Sequence, residues 1–245
     1  MVRSRIIPVI LIENGYAVKT INFKSPRYIG EPINIVRIFN DKQADEIIVL
    51  DIGCSKKNAQ INFELIKKLS NETKMPFCYG GGIQSVEDAY KIFSYGVEKI
   101  SLNSLFFTNK EEVKKLINIF GSQSIAVTID VNKNAKELFI NNSERADFVN
   151  LFKSIEEIGI GELIINCVHK DGIRSGFDLE ILDLALKSVK IPVTIIGGAS
   201  SLNELENLLT KYQSIGFGVG SLFFYKGKNN AVLISYPEQL TSKTV

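Results

Sequence analysis

Eight β-branched apolar runs at regular spacing, helical stretches between them, and two halves of the chain that match each other predict an α/β fold, a (β/α)8 barrel. The length agrees. A chain of 245 residues is long for one two-layer domain and short for two, so a single barrel domain over 1–245 is expected. The runs are 6–11, 46–51, 76–79, 99–102, 124–130, 162–166, 192–196 and 215–219. Between them, 32–41, 63–69, 86–95, 111–119 and 202–212 have helical period. Ser85, Thr108 and Ser201 each stand three residues before an acid, the spacing of an N-cap with its N3 partner. The segment after Phe224 contains Gly227, Asn229, Asn230 and Pro237 and has no clean period, so the eighth helix is expected to be short or missing.

The duplication is the most informative internal feature. YGGGIQSVEDAYKIF at 79–93 parallels IIGGASSLNELENLL at 195–209, SLNSLFF at 101–107 parallels GVGSLFF at 218–224, and DEIIVLDI parallels GELIINCV about 116 residues on. Half barrels of about 1–120 and 121–245 explain that offset. An open doubly wound sheet is the runner-up, but it offers no reason for two matching sets of four units.

Composition narrows the function classes. Lys and Arg number 29 against 27 Asp and Glu, a net charge of +2 with no basic block, which argues against nucleic acid as a partner. The longest apolar stretch near the start, Ile6 to Ile12, is far below the roughly 20 residues that span a bilayer, and no small-residue cleavage site follows it. Neither a membrane partner nor export is expected. The cysteines Cys54, Cys78 and Cys167 are odd in number and far apart, as reduced thiols of a cytoplasmic protein would be. With His169 as the single histidine, neither a His-rich metal site nor a bound cofactor is expected, and acid–base work falls to carboxylates.

The matched loops carry chemistry. Gly80, Gly81 and Gly82 follow the third strand, with Asn103 and Ser104 after the fourth; Gly197 and Gly198 follow the seventh, with Gly220 and Ser221 after the eighth. Glycines there let backbone N–H groups approach an anion. In a barrel the last pair of loops is the usual phosphate site, and the duplication places a second one opposite. Tight turns alone would also use these glycines; two symmetry-related clusters favour a ligand with two phosphates or similar anions.

RIIPVILIENGYAVKTINF at 5–23, PFCYGGGIQSVEDA, KISLNS, FGSQSIAVTIDV at 120–131 and HKDGIRSGFD at 169–178 together resemble the cyclase subunit of imidazole glycerol phosphate synthase. The similarity loosens only at 132–147 and after Phe224. It implies a lyase-family barrel that takes ammonia from a glutaminase at its N-terminal face and adds it to a bisphosphorylated ribonucleotide at its C-terminal face. Of the family's two catalytic aspartates, the resemblance places Asp130 at the end of strand 5, but Leu11 stands at the strand 1 position. An apolar side chain cannot exchange protons, so a degraded cyclase site is expected. Lys19, Asp51 and Asp171 match; the resemblance implies a catalytic role for Lys19 beside Asp130 and substrate or phosphate contacts for Asp171 and Gly172 of KDG, while His169 stands where the family generally has an acid, and the loop after strand 5 is altered to NKNAKELFINN.

Arg5, Glu46, Lys99 and Glu162 match the family's charged ring at the ammonia entrance. Parity supports the placement: Lys99, Ser101 and Asn103 share one face of their strand, and Arg5, Ile7, Val9 and Leu11 share one face of theirs. A kept entrance beside a damaged site resembles the family's branch associated with surface-polysaccharide synthesis, implying a glutaminase and an ATP-dependent sugar amidotransferase as partners. The alternatives are a genuine synthase cyclase and a free-standing isomerase of the related histidine-pathway barrel. His169 is expected to be a solvated loop residue or a ligand contact, Cys54 and Cys167 to be packing residues near the upper rim, and Phe106, Phe107, Phe223 and Phe224 to be core residues.

Overall fold

Alternation along each strand sorts the side chains into two faces, and closing the sheet turns those faces into an inside and an outside. The structure, a computed structural model, describes residues 3–57, 60–134, 137–140, 144–145, 147–227 and 229–237. The barrel strands are β1 (Arg5–Glu13), β2 (Ile47–Asp51), β3 (Phe77–Gly80), β4 (Lys99–Leu102), β5 (Ile125–Asn134), β6 (Glu162–Cys167), β7 (Val193–Ile196) and β8 (Ile215–Val219). Each pairs in parallel with the next, and β8 returns to β1 with Arg5 opposite Gly216. The predicted (β/α)8 barrel is the observed fold. On β1, Ile6, Ile10 and Ile12 join the core between strands and helices, whereas Ile7, Val9 and Leu11 join an inner cluster with Ile48, Cys78, Ala126, Ile164 and Ile196.

Among the described residues, seven longer helices, α1 (Pro32–Asp41), α2 (Phe63–Glu72), α3 (Val86–Ser94), α4 (Lys110–Phe120), α5 (Phe148–Glu157), α6 (Leu179–Ser188) and α7 (Leu202–Lys211), cover the outside. Ser85 and Ser201 cap α3 and α7, accepting from the N–H of Asp88 and Glu204 at 3.1 and 3.2 Å. The third start signal is corrected by one residue: Asn109, not Thr108, caps α4, because Thr108 ends a short helix, Ser104–Thr108, and bonds back to its first carbonyl. Each such cap is worth about 1 kcal/mol.

Three features depart from a plain alternation. After β1 the chain makes a hairpin, Tyr16–Ile21 and Lys24–Gly30, whose first strand pairs with the end of β1. Strand β5 does not end at Asp130 but continues to Asn134 and pairs antiparallel with Glu137–Ile140. Part of the altered run, 135–136 and 141–142, lies outside the described residues. After β8 only a four-residue helix, Ser221–Phe224, forms among the described residues, followed by the small hairpin Tyr225–Lys226 with Ala231–Val232. Tyr236 then packs against Phe39 and Phe223, and its hydroxyl donates to the Ile6 carbonyl at 3.2 Å. Residues 238–245 lie outside the described part. No helix among the described residues is long and apolar enough to cross a membrane.

Candidate functional site

Inward-facing positions at the C-terminal ends of the strands define a cavity of about 350 Å³, lined among others by Leu11, Asp51, Ser101, Asn103, Asp130 and Asn166. Asp130 lies opposite Asn166 in the β5–β6 register. Its two oxygens accept from Asn103 Nδ2 and Asn166 Nδ2, both at 2.9 Å, which leaves the carboxyl fixed between two amides. Burial pushes its pKa up to about 6, held back by those two donations. A carboxyl that changes charge near neutral pH suits general acid or base work. Ser101 and Thr128 form a 2.5 Å hydroxyl pair deeper in the barrel. Asp51 accepts from the N–H groups of Gly53 and Cys54 at 3.0 and 3.2 Å, and burial holds its carboxyl above the usual range.

Leu11 points into this space from β1, 9% exposed, and the carboxyl that lines the cavity alongside Asp130 is Asp51, from β2. The strand 1 position itself therefore contributes an apolar side chain, with Leu50 and Ile52 also in the lining.

A second recess of about 30 Å³ adjoins the first, sharing Leu11, Phe23, Leu50 and Asn166. Lys19, Asp171, Gly172, Gly198, Gly220 and Ser221 line it. Lys19 is buried; its Nζ donates to the Val9 carbonyl at 2.6 Å and lies 4.6 Å from the Phe224 ring centre. Burial lowers this amine to about 8, with Asp171 pulling the other way. Asp171, expected as a ligand contact, uses its carboxylate on the hairpin, accepting from Thr20 Oγ1 at 2.6 Å and Phe23 N–H at 3.2 Å.

The glycine loops are shaped by close approach. Gly81 and Gly197 have φ of +127° and +99°, and a Cβ on either would collide with the carbonyl oxygen of Asp51 or Cys167, the equivalent strand ends of the two halves. Gly82 and Gly198 are likewise left-handed at +73° and +106°. Gly81 and Ser104 line the larger cavity, Gly197 and Gly198 the smaller recess, and Gly82 lines neither, packing instead on Cys54.

At the opposite end of the barrel the four predicted charges meet. Arg5 bonds Glu46 at 2.6 Å and Glu162 at 3.3 Å; Lys99 bonds Glu46 at 3.2 Å and Glu162 at 2.5 Å. Two bases alternate with two acids, so the ring is neutral and each buried carboxylate has both neighbours paired. Burial would raise Glu162, but the charges of Lys99 and Arg5 hold it below the usual carboxylate range.

Other expectations need correction. His169 is neither solvated nor lining the cavity: its Nε2 bonds Asp178 Oδ2 at 2.9 Å, and Asp178 also caps α6. Phe107 is 38% exposed, unlike the buried Phe106, Phe223 and Phe224, because it follows Phe106 on a short helix and so faces away. Cys54 and Cys167 are buried, with thiols that burial pushes up to about 12, which fits packing. Sequence reasoning missed Asn166 and Arg174. Parity along β6, where Glu162, Ile164 and Asn166 share a face, could have found the first. The second is a loop residue whose Nη2 donates to the Ser221 carbonyl at 2.9 Å, and no local pattern marks it.

Asp130 offers a direct check. Its carboxyl carbon signal should titrate near pH 6, and Asn166→Ala, which removes one donor to the charged form, should move that midpoint upward. A midpoint near 4 in carbon-13 NMR, or a downward move, contradicts this account of the site.

Fold and site define a (β/α)8 barrel with a polar cavity around a half-buried carboxyl at one end and a closed charge ring at the other. A family profile described as histidine biosynthesis protein matches residues 5–229. The chain is 45% identical to the "Putative imidazole glycerol phosphate synthase subunit HisF" of Leptospira borgpetersenii, covering 97% of this chain and 96% of that one. It is 41% identical to the hisF2 protein of the same description in Pseudomonas aeruginosa, over 97% of each. It is 36% identical to "Imidazole glycerol phosphate synthase subunit HisF" of Lactococcus lactis subsp. cremoris (strain MG1363), over 92% of this chain and 90% of that one. The chain belongs to the histidine biosynthesis protein family, among its HisF-like barrels.

Proposed function

We propose that this chain is the barrel subunit of a glutamine-dependent amidotransferase complex, receiving ammonia from a glutaminase at its N-terminal face, with a degraded cyclase site at the other. The observation that carries the reading is the contrast between the ends: all four ring charges pair, while Leu11 leaves Asp130 without its strand 1 counterpart. The final acceptor in this reading is a sugar of surface-polysaccharide (O-antigen) biosynthesis, amidated by an ATP-dependent partner in the cytoplasm. The paired glycine loops serve a phosphate-bearing ligand, and the equivalent contacts of Gly81 and Gly197 support the half-barrel repeat.

A second reading, an active cyclase of histidine biosynthesis, is favoured by Asp130, which lines the cavity between Asn103 and Asn166 with its pKa pushed up to about 6. Mixing the purified chain with a glutaminase encoded beside it separates the parts of the proposal. The expected result is a stable complex in which glutamine hydrolysis rises and ammonia reaches a sugar amidotransferase. Absence of any complex removes the reading, and efficient formation of imidazole glycerol phosphate replaces it with the second.

A further inference from the structure

The contacts around the ring are unequal. Arg5–Glu46 and Lys99–Glu162 are 2.6 and 2.5 Å, whereas Lys99–Glu46 and Arg5–Glu162 are 3.2 and 3.3 Å. Glu162 has one more bond: Thr194 Oγ1, on β7 and fully buried, donates to its Oε1 at 2.5 Å. The room for that hydroxyl comes from Gly216, opposite Thr194 in the β7–β8 register, where any Cβ would overlap Oγ1. Gly216 has no positive φ, so space, not backbone freedom, is what this glycine supplies. Glu162 thus has three donors, while Glu46 has Arg5 and Lys99 alone among the described residues.

We infer that Thr194 is a positioning residue, a fifth member of the ring that pins Glu162 to the β7 wall, so that the ring parts at the long Lys99–Glu46 contact. That contact spans β3, whose inward residue at this level is Cys78, opposite Ile48 on one side and Lys99 on the other. Cys78 is fully buried while the ring is closed, and parting Lys99 from Glu46 uncovers it. Without Thr194, Glu162 swings with Lys99, and the ring opens more often. The consequence for ammonia delivery rests on the proposed entrance role; the ring mechanics do not, and they are testable on the chain alone.

The measurement is the rate at which a small neutral thiol reagent, methyl methanethiosulfonate, labels each cysteine, read by peptide mass. Cys167, buried in the outer core, reports general unfolding in the same molecule. In the unaltered protein Cys78 should react before Cys167. Thr194→Val should speed Cys78 alone by about tenfold, the scale of a lost hydrogen bond to a charged group, and Thr194→Ser should restore the original rate. Where Thr194→Val does not fold, Thr194→Ala carries the same expectation. Labelling of Cys78 no faster than Cys167, equal rates in the Val and Ser variants, or parallel acceleration of both thiols overturns the inference. If Cys78 labels selectively on the chain alone but the chain forms no complex with a glutaminase, the proposed function falls and this inference stands.

Discussion

Leu11→Asp should raise turnover of the bisphosphorylated ribonucleotide with ammonium by about 10² to 10⁴ over the unaltered protein, which should show little or none. The magnitude is that of one general acid–base partner. Asp130 is present, held by Asn103 and Asn166 and titrating near 6, but proton transfer at two points needs two groups. Position 11 faces the cavity, so an introduced carboxyl lands in the space that Asp130 lines. Burial beside Val9 and Ile196 raises the pKa of the new acid. Its folded form therefore binds a proton more tightly than its unfolded form, and the variant loses stability as pH rises above about 4. Assays near pH 6 to 7, with the melting temperature followed in parallel, separate this cost from the chemistry. Equal turnover by the two proteins would show that position 11 does not limit the reaction.

Lys99→Ala should destabilise the fold by on the order of 3 kcal/mol at neutral pH, because Glu46 and Glu162, both nearly buried, are left sharing Arg5. The pH dependence follows from Glu162, whose folded value lies below the ordinary one through Lys99 and Arg5. A carboxyl depressed in this way contributes stability above its unfolded value, lost as pH falls through its folded value. Removing Lys99 removes most of that contribution, so the deficit should begin to shrink below about pH 4, the unfolded value, and disappear only below the depressed folded value, where the carboxyl is protonated in both states. Urea midpoints followed from pH 7 down to about pH 3 read this directly. In the complex with a glutaminase, the same variant should hydrolyse glutamine normally but lose ammonia, lowering amidated product per glutamate released. A deficit independent of pH, with coupling unchanged in both Lys99→Ala and Glu46→Ala, would remove the ring from both roles.

The eight strands, the helix starts at Ser85 and Ser201, the paired glycine turns and the inward faces carrying Arg5, Leu11 and Lys99 were all determined by the sequence alone. Each rests on spacing over two to four residues, where backbone geometry decides which side chains share a face. The hairpin after β1 was not legible, since its exposed second strand has no apolar alternation. Nor was the Asn109 cap, where two candidates stand side by side. Tertiary structure decided what each inward residue meets. Asp130 lies between two amides from other strands, Lys19 gives its charge to a backbone carbonyl, Asp171 holds a hairpin, and Thr194 reaches Glu162 only because Gly216 leaves room. Those contacts join residues up to 151 positions apart, as Thr20 and Asp171 are. Barrel closure and strand register set them, and the removal of water from the interior gives them their strength, neither of which any local stretch of sequence contains.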